Sequence, residues 1–199
     1  SELSTAFGQN LLAETNGFEM ILDKEDLEGL SEGVISAASE AASEAASKKM
    51  EEAGSDEEKN KYENKYVFTP HRSSMYPFLT ESTRRDLREI LYKSYVMRGD
   101  NNNEFDNKKV AAQIAKLRAD RANIMGYKTH AHFILEENML KTPEEVYDLL
   151  LQLWRPALKR AKAEVADMQA VADAEGQDFK VAAWDWWHYS EKVRKAKYD

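Results

Sequence analysis

Residues 142–176 constrain this chain more than any other stretch. Thr142-Pro143-Glu144-Glu145 is a helix start: threonine as N-cap, proline at the first helical position, where its missing N–H costs nothing, and Glu145 set to return the capping bond. Val146, Leu149, Leu150, Leu153, Trp154, Leu158, Ala161, Val165, Met168, Val171 and Ala172 then follow at three- and four-residue steps, the period of one helix face. Gly176 supplies a left-handed stop, so the pattern predicts one helix of roughly 33 residues and ~50 Å, against a globular average of about 11 residues. Its apolar stripe is expected to face a core, and a rod of this length implies a large parent structure. Pro156 removes one backbone bond and crowds the carbonyl of Gln152, which predicts a kink between Gln152 and Pro156.

The rest of the chain reads as more helix with two short strands. Leu3, Phe7, Leu11 and Leu12 fit a first helix broken near Asn16-Gly17. Phe18, Met20 and Leu22 alternate with Glu19 and Ile21, and Tyr66-Val67-Phe68-Thr69 is a second strand-like run. A lone strand would leave its backbone groups unpaired, so the two are expected to form a small antiparallel ribbon. Ser31 is the expected N-cap of a helix whose Val34, Ala38, Ala41, Ala42, Ala45 and Ala46 make a smooth alanine face. The Ala-Ala-Ser-Glu phrase at 37–44 is too short for a repeat protein and reads as helix-favouring low complexity. Residues 54–64 are almost wholly polar, an exposed connector with a short solvated helix starting at Asp56. Further helices are expected from Thr83 to Gly99, from Asp106 or Asn107 to Gly126, from Thr129 past Leu135, and from Trp184 to Tyr198. The fold class is therefore mainly α: a helical bundle with one long kinked helix and a minor two-stranded antiparallel ribbon.

Residue types narrow the chemistry by exclusion. The chain has no cysteine, which removes thiol catalysis, disulfides and cysteine-ligated zinc. A formal charge of −8 disfavours nucleic acid and anionic lipid as partners, and no apolar run reaches the ~18 residues of a membrane span. His130 and His132 stand two apart and diverge on a helix; His132 and Glu136 share a face but lack a third ligand. Asp100, Asn102 and Glu104 have calcium-loop composition, yet Phe105 stands where the loop needs glycine and Ala111 where it needs glutamate. His71 and His188 have no nucleophile in a strained turn beside them, and the glycines are scattered singly, so no triad and no phosphate loop is visible. The run Trp184-Asp185-Trp186-Trp187-His188-Tyr189 is read as a core clamp rather than a ligand platform, with one of Trp186 and Trp187 packed on the long rod. No catalytic, cofactor-binding or metal-ligating residue is assigned to any position.

Four phrases, in order, carry a resemblance. They are Phe7-Gly8-Gln9-Asn10-Leu11-Leu12-Ala13-Glu14-Thr15; Leu27-Glu28-Gly29-Leu30-Ser31-Glu32; Leu117-Arg118-Ala119-Asp120-Arg121-Ala122 with Met125-Gly126-Tyr127; and Trp184-Asp185-Trp186-Trp187 with Glu191-Lys192-Val193-Arg194. Together they resemble the thimet oligopeptidase family, on the side of the bacterial peptidyl-dipeptidases, also called dipeptidyl carboxypeptidases. The resemblance implies a zincin-like (neurolysin-like) fold whose two halves flank a channel for short peptides, with zinc held by His-Glu-x-x-His and a downstream glutamate. That motif does not occur in these 199 residues. The chain is thus expected to be a single non-catalytic helical segment, 1–199, of a larger zinc peptidase, part of the channel wall and without zinc of its own. Its expected partners are the catalytic remainder of the parent and, in the intact enzyme, short peptides; self-association of the segment would cover an apolar patch at Trp184–Tyr189 or on the alanine face. A cytoplasmic parent is expected, with an exported or periplasmic one as the alternative. The rival reading is a stand-alone helical module that holds a partner protein.

Overall fold

The computed structural model describes residues 2–53 and 60–198, and these divide into two compact units. The elements are α1 (Glu2–Gly17), β1 (Met20–Leu22), α2 (Glu32–Ala53), β2 (Tyr66–Phe68), α3 (Arg72–Glu81), α4 (Arg85–Val96), α5 (Lys108–Ile124), α6 (His130–Leu135), α7 (Pro143–Ala174) and α8 (Trp186–Tyr198). Single 3-10 turns at Lys24–Asp26 and Ala183–Asp185 complete the set among the described residues. The division between units falls inside α1 and inside α7: one unit holds residues 1–11 and 99–166, the other 12–98 and 167–199. The break expected at Gly54-Ser55-Asp56 and the short helix from Asp56 lie outside the described residues.

The second unit is built on the ribbon. Met20 pairs with Phe68, Ile21 with Val67 and Leu22 with Tyr66, antiparallel. Period-two alternation sends Met20, Leu22 and Phe68 into one core with Leu27, Ala38, Met75, Phe78, Leu79, Leu87 and Leu91. Fully burying a large apolar side chain contributes about 1.5–3 kcal/mol, so this cluster is the main source of stability in the unit. The alanine face of α2 lies on the ribbon: Ala42 is buried with Tyr62 and Val67, which leaves no room for a larger residue there. Gly29, at φ +87°, closes the turn before α2; a Cβ would stand 2.6 Å from the carbonyl oxygen of Glu81.

Helix α3 has no counterpart in the sequence reading. Ser73-Ser74 and Pro77 look like turn residues, and its apolar pattern is only Met75, Phe78 and Leu79. All three are nonetheless fully buried, and that burial outweighs the backbone bond lost at Pro77. The final helix is also shorter than expected, since residues 183–185 form a 3-10 turn ahead of Trp186.

The first unit has caps but little core. The Thr142 cap forms as expected: Glu145 N–H donates to Thr142 Oγ1 at 3.3 Å, and Thr142 N–H donates to the Glu145 carboxylate at 3.1 Å. Backbone donors of Lys141 and Thr142 hold the Glu145 carboxyl below its usual range. Gly126 takes a left-handed φ of +82° just past the end of α5, as a helix stop requires, and Gly176, in the second unit, does the same at +73° past the end of α7. Buried Asn107 ties α1 to α5, accepting from Asn10 Nδ2 at 2.9 Å and donating to the Phe7 carbonyl at 3.0 Å. α7 runs as one helix through Pro156.

The stripe on α7 is where the structure departs furthest from expectation. Only Met168 and Ala172, at its C-terminal end, are buried; they pack with Tyr189, Val193 and Phe179. Leu149, Leu150, Leu153, Trp154, Leu158 and Val165, expected to face a core, are exposed. The periodicity reported a face that demands cover, and among these residues nothing supplies it over that length.

Candidate functional site

None of the side chains weighed for catalysis or metal binding converges on another. In α6, Thr129 caps the helix by accepting from His132 N–H, and His132 Nδ1 stands 2.8 Å from Thr129 Oγ1. Glu136 accepts from the Tyr127 hydroxyl. His130 stacks near Phe133, with ring centroids 6.4 Å apart. The Asp100–Asp106 segment is a turn closed by Lys108, whose ammonium lies 2.5 Å from both Asp100 and Asp106. A cation already sits where the calcium-like loop would need one. His71 Nδ1 is 3.1 Å from Thr69 Oγ1. Among the described residues no three histidine or carboxylate groups gather closely enough to hold a metal ion.

What the second unit builds instead is a buried ionic node, assembled from the start of α4 and the 3-10 turn before α8. Asp185 has no exposed surface. Both its oxygens accept from Arg85 Nε at 3.1 Å, Arg85 Nη2 donates at 3.0 Å, Arg88 Nη2 at 2.8 Å and the Ala182 N–H at 3.0 Å. Arg88, also buried, donates to the Ser82 carbonyl at 2.7 Å. A carboxylate so enclosed is tolerable only because every lone pair has a donor. His188, one turn on, is buried and donates through Nδ1 to the Thr80 carbonyl at 3.0 Å. Burial above all, then the positive charges of Arg88 and Lys192, pushes its pKa down to about 4, so it is neutral in the fold.

The aromatic run does clamp a core, though not on the long rod as expected. Trp187 stacks on Tyr76 of α3, centroids 5.5 Å apart, and meets Tyr92 of α4 at 6.0 Å. Tyr189 is the residue that reaches α7. Trp184 lies under the guanidinium of Arg85 at 5.3 Å, and Trp186 stays partly exposed. Of the two places where an apolar patch was expected, the aromatic cluster exposes Trp186 and buries Tyr189, and the alanine face buries Ala38 and Ala42 and leaves Ala37 exposed. A longer exposed apolar stretch is on α7, where Tyr147, Leu150, Leu151, Leu153, Trp154 and Ala157 line an open groove of about 400 Å³. A second concavity, of about 780 Å³, lies between α2, β2 and α3 and is lined by Ala37, Ala41, Ala45, Phe68, His71 and Pro77, with Glu19, Glu44 and Lys48 beside them.

In the sequence Asp185 stands out only as one member of the run Trp184–Tyr189, and Arg85 lies unmarked inside the helix expected from Thr83 to Gly99. The signal passed over is the i, i+3 spacing of Arg85 and Arg88 beside Leu87 and Leu91, which turns two cations toward an apolar face and calls for a buried anion elsewhere in the chain.

The profile of Peptidase family M3 matches residues 78–199, a span that takes in the whole node. The chain belongs to peptidase family M3. Oligopeptidase A of Haemophilus influenzae is 30% identical over 203 residues, which cover 100% of this chain and 28% of that protein. The dipeptidyl carboxypeptidase of Escherichia coli is 30% identical over 198 residues, covering 99% of this chain and 27% of its own length. A probable cytosolic oligopeptidase A of Arabidopsis thaliana is 30% identical over 205 residues, covering 100% and 27%. The chain thus spans just over a quarter of the length of these relatives. M3 peptidases are zinc-dependent, and the donors present do not fit that ion: His132, Glu136, His71 and His188 each engage another protein group at hydrogen-bonding range, and the sequence holds no His-Glu-x-x-His. No membrane-spanning helix, long and apolar enough for the purpose, occurs among the described residues.

Proposed function

We propose that these 199 residues form a non-catalytic wall segment of a zinc-dependent oligopeptidase of the peptidyl-dipeptidase type, acting on short peptides and releasing C-terminal dipeptides. The observation that carries this reading is the pairing of two facts: essentially the whole chain aligns with just over a quarter of oligopeptidase A and dipeptidyl carboxypeptidase, and it lacks the zinc-peptidase motif. The zinc ligands and the base that activates water belong, on this reading, to residues outside the segment, which act with it as a partner. The segment contributes a rigid unit locked by Asp185, and the concavity between α2, β2 and α3 is its surface best shaped to border a peptide channel. Likeness to the Arabidopsis relative favours a cytoplasmic parent.

Two measurements test this. Elemental analysis and fluorogenic short-peptide assays on the purified chain are expected to give neither stoichiometric zinc nor chelator-sensitive hydrolysis; either one would overturn it. Reading the gene past the codon for Asp199 should reveal a His-Glu-x-x-His segment. The bare groove on α7 is the one observation favouring the second reading, a stand-alone module that holds a partner, and a stop codon at that point would select it.

A further inference from the structure

Helix α8 is fastened to its unit rather than built into the core. No residue of α8 is among the buried members of the cluster beneath the ribbon, and Trp187 touches that cluster only as a partly buried neighbour. The fastening is a short set of contacts: His188 Nδ1 to the Thr80 carbonyl of α3, Trp187 stacked on Tyr76, and Tyr189 and Val193 against Met168 and Ala172 of α7. The ion pairs Lys192–Glu175 and Lys197–Asp167, both 2.7 Å, join them nearer the surface.

Among these contacts His188 is the buried titratable group. α3 meets it with the Thr80 carbonyl, α4 with the charge of Arg88, its own helix with Lys192 and the ring of Tyr189, perpendicular at 5.1 Å, and Glu175 acts on it from just past α7. The neutral ring suits this setting, since Nδ1 donates to Thr80 and no charge is buried. A second proton sets a positive charge beside Arg88 and Lys192. The neighbouring carboxylates are already engaged: Glu175 accepts from Lys192 through both oxygens at 2.7 Å, and Asp185 from Arg85, Arg88 and the Ala182 N–H. Opening α8 hydrates the new charge and leaves the ribbon cluster intact.

We propose that α8 is an acid-released clasp: protonation of His188 frees it from α3 and from the end of α7, hinged at the 3-10 turn that Asp185 anchors, while the ribbon and its cluster stay folded. A freed helix of 13 residues is marginal in water, so its backbone bonds open with it. The docked form is fully favoured above pH 6.5 and loses ground as the pH falls toward 4. Between pH 7 and 4.5 the opening constant should rise about thirtyfold, with solvent screening taken into account.

This release does not rest on the peptidase reading, because amide exchange is read without zinc or peptide. The experiment is hydrogen exchange with mass spectrometry on the 199-residue chain at pH 7 and 4.5, expressed as protection factors so that the intrinsic pH dependence of exchange drops out. Protection over residues 190–198 should fall about thirtyfold, and over β1, β2 and α3 by less than about threefold. His188→Gln stays uncharged and can still donate to Thr80, so its ratio of protection at the two pH values should stay within about threefold, whatever its absolute stability. Proton NMR of the wild-type chain should show the His188 ring titrating well below pH 6.5. A fall of equal size in α8, the ribbon and α3 overturns the proposal, because the unit then opens as a whole. So does unchanged protection over 190–198, a fall that persists in His188→Gln, or a His188 ring that titrates at pH 6.5 or above.

Discussion

Of the twenty large apolar side chains exposed among the described residues, thirteen lie in residues 99–166, whereas every buried apolar residue except Ala122 lies in residues 12–98 or 167–198. Both units carry amphipathic helices of good period. In the second, the apolar faces of α3, α4 and α8 are covered by one another and by the ribbon, and a buried ion pair fixes how they meet. In the first, α5 and α7 have apolar faces of the same quality and little over them: Leu117 is 57% exposed and Leu153 61%. Periodicity is a property of one helix, but burial needs two elements. A chain belonging to a family of much longer relatives can supply the first without the second.

The contrast breaks first at the node. Replacing Asp185 by asparagine keeps its shape and leaves Arg88 buried without a counter-charge, and the unfolding free energy of the second unit should fall by about 3–5 kcal/mol in urea titrations followed by tryptophan fluorescence. A loss below about 1 kcal/mol would mean that the node is hydrated and that packing alone holds α4 to the 3-10 turn. Leu91→Ala comes next. Leu91 is fully buried in the cluster beneath the ribbon, and the cavity left should cost about 2–5 kcal/mol in the same titration.

How much of this was legible in the sequence follows the same division. Helix ends were readable because caps are local: Thr142 with Glu145, Thr129 with His132, and the glycines at 126 and 176 act within one turn of themselves. The ribbon was readable because a strand demands a partner and only one other strand-like run existed. Helix α3 was missed because its evidence is tertiary, three side chains whose burial overrides Ser73, Ser74 and Pro77. The node was missed for the same reason, since Arg88 and Asp185 are 97 residues apart and nothing local links them. On the long rod the error ran the other way: an inherent face was read as an existing contact. The family, by contrast, was fully legible, because short phrases such as Trp184-Asp185-Trp186-Trp187 survive where pairwise geometry is invisible.

A smaller effect sharpens the picture of the packed unit. His188 is held neutral by burial, so the unfolded chain binds a proton near pH 6.5 that the folded chain refuses until about pH 4. Its contribution is fully present above pH 6.5 and is lost as the pH falls through that window, by about 2 kcal/mol once the full shift is discounted for solvent screening. Urea midpoints at pH 7 and 4.5 should differ accordingly, and His188→Gln should flatten that part of the profile. An unchanged slope in the variant would assign the pH dependence to other groups, such as the Asp86 carboxyl, held low by Arg84.

The smallest expected effect is the most discriminating. Leu117 and Leu91 are the same residue type, each in the interior of a helix, one 57% exposed and the other fully buried. Leu117→Ala removes side-chain surface that water already wets, and alanine is the better helix former by about 0.2 kcal/mol, so stability should change by no more than about 0.5 kcal/mol in either direction. The cavity cost that applies to Leu91 cannot arise where there is no enclosing wall. A loss of about 2 kcal/mol or more at Leu117 would mean that α5 is covered in solution, and the two units would then no longer differ in kind.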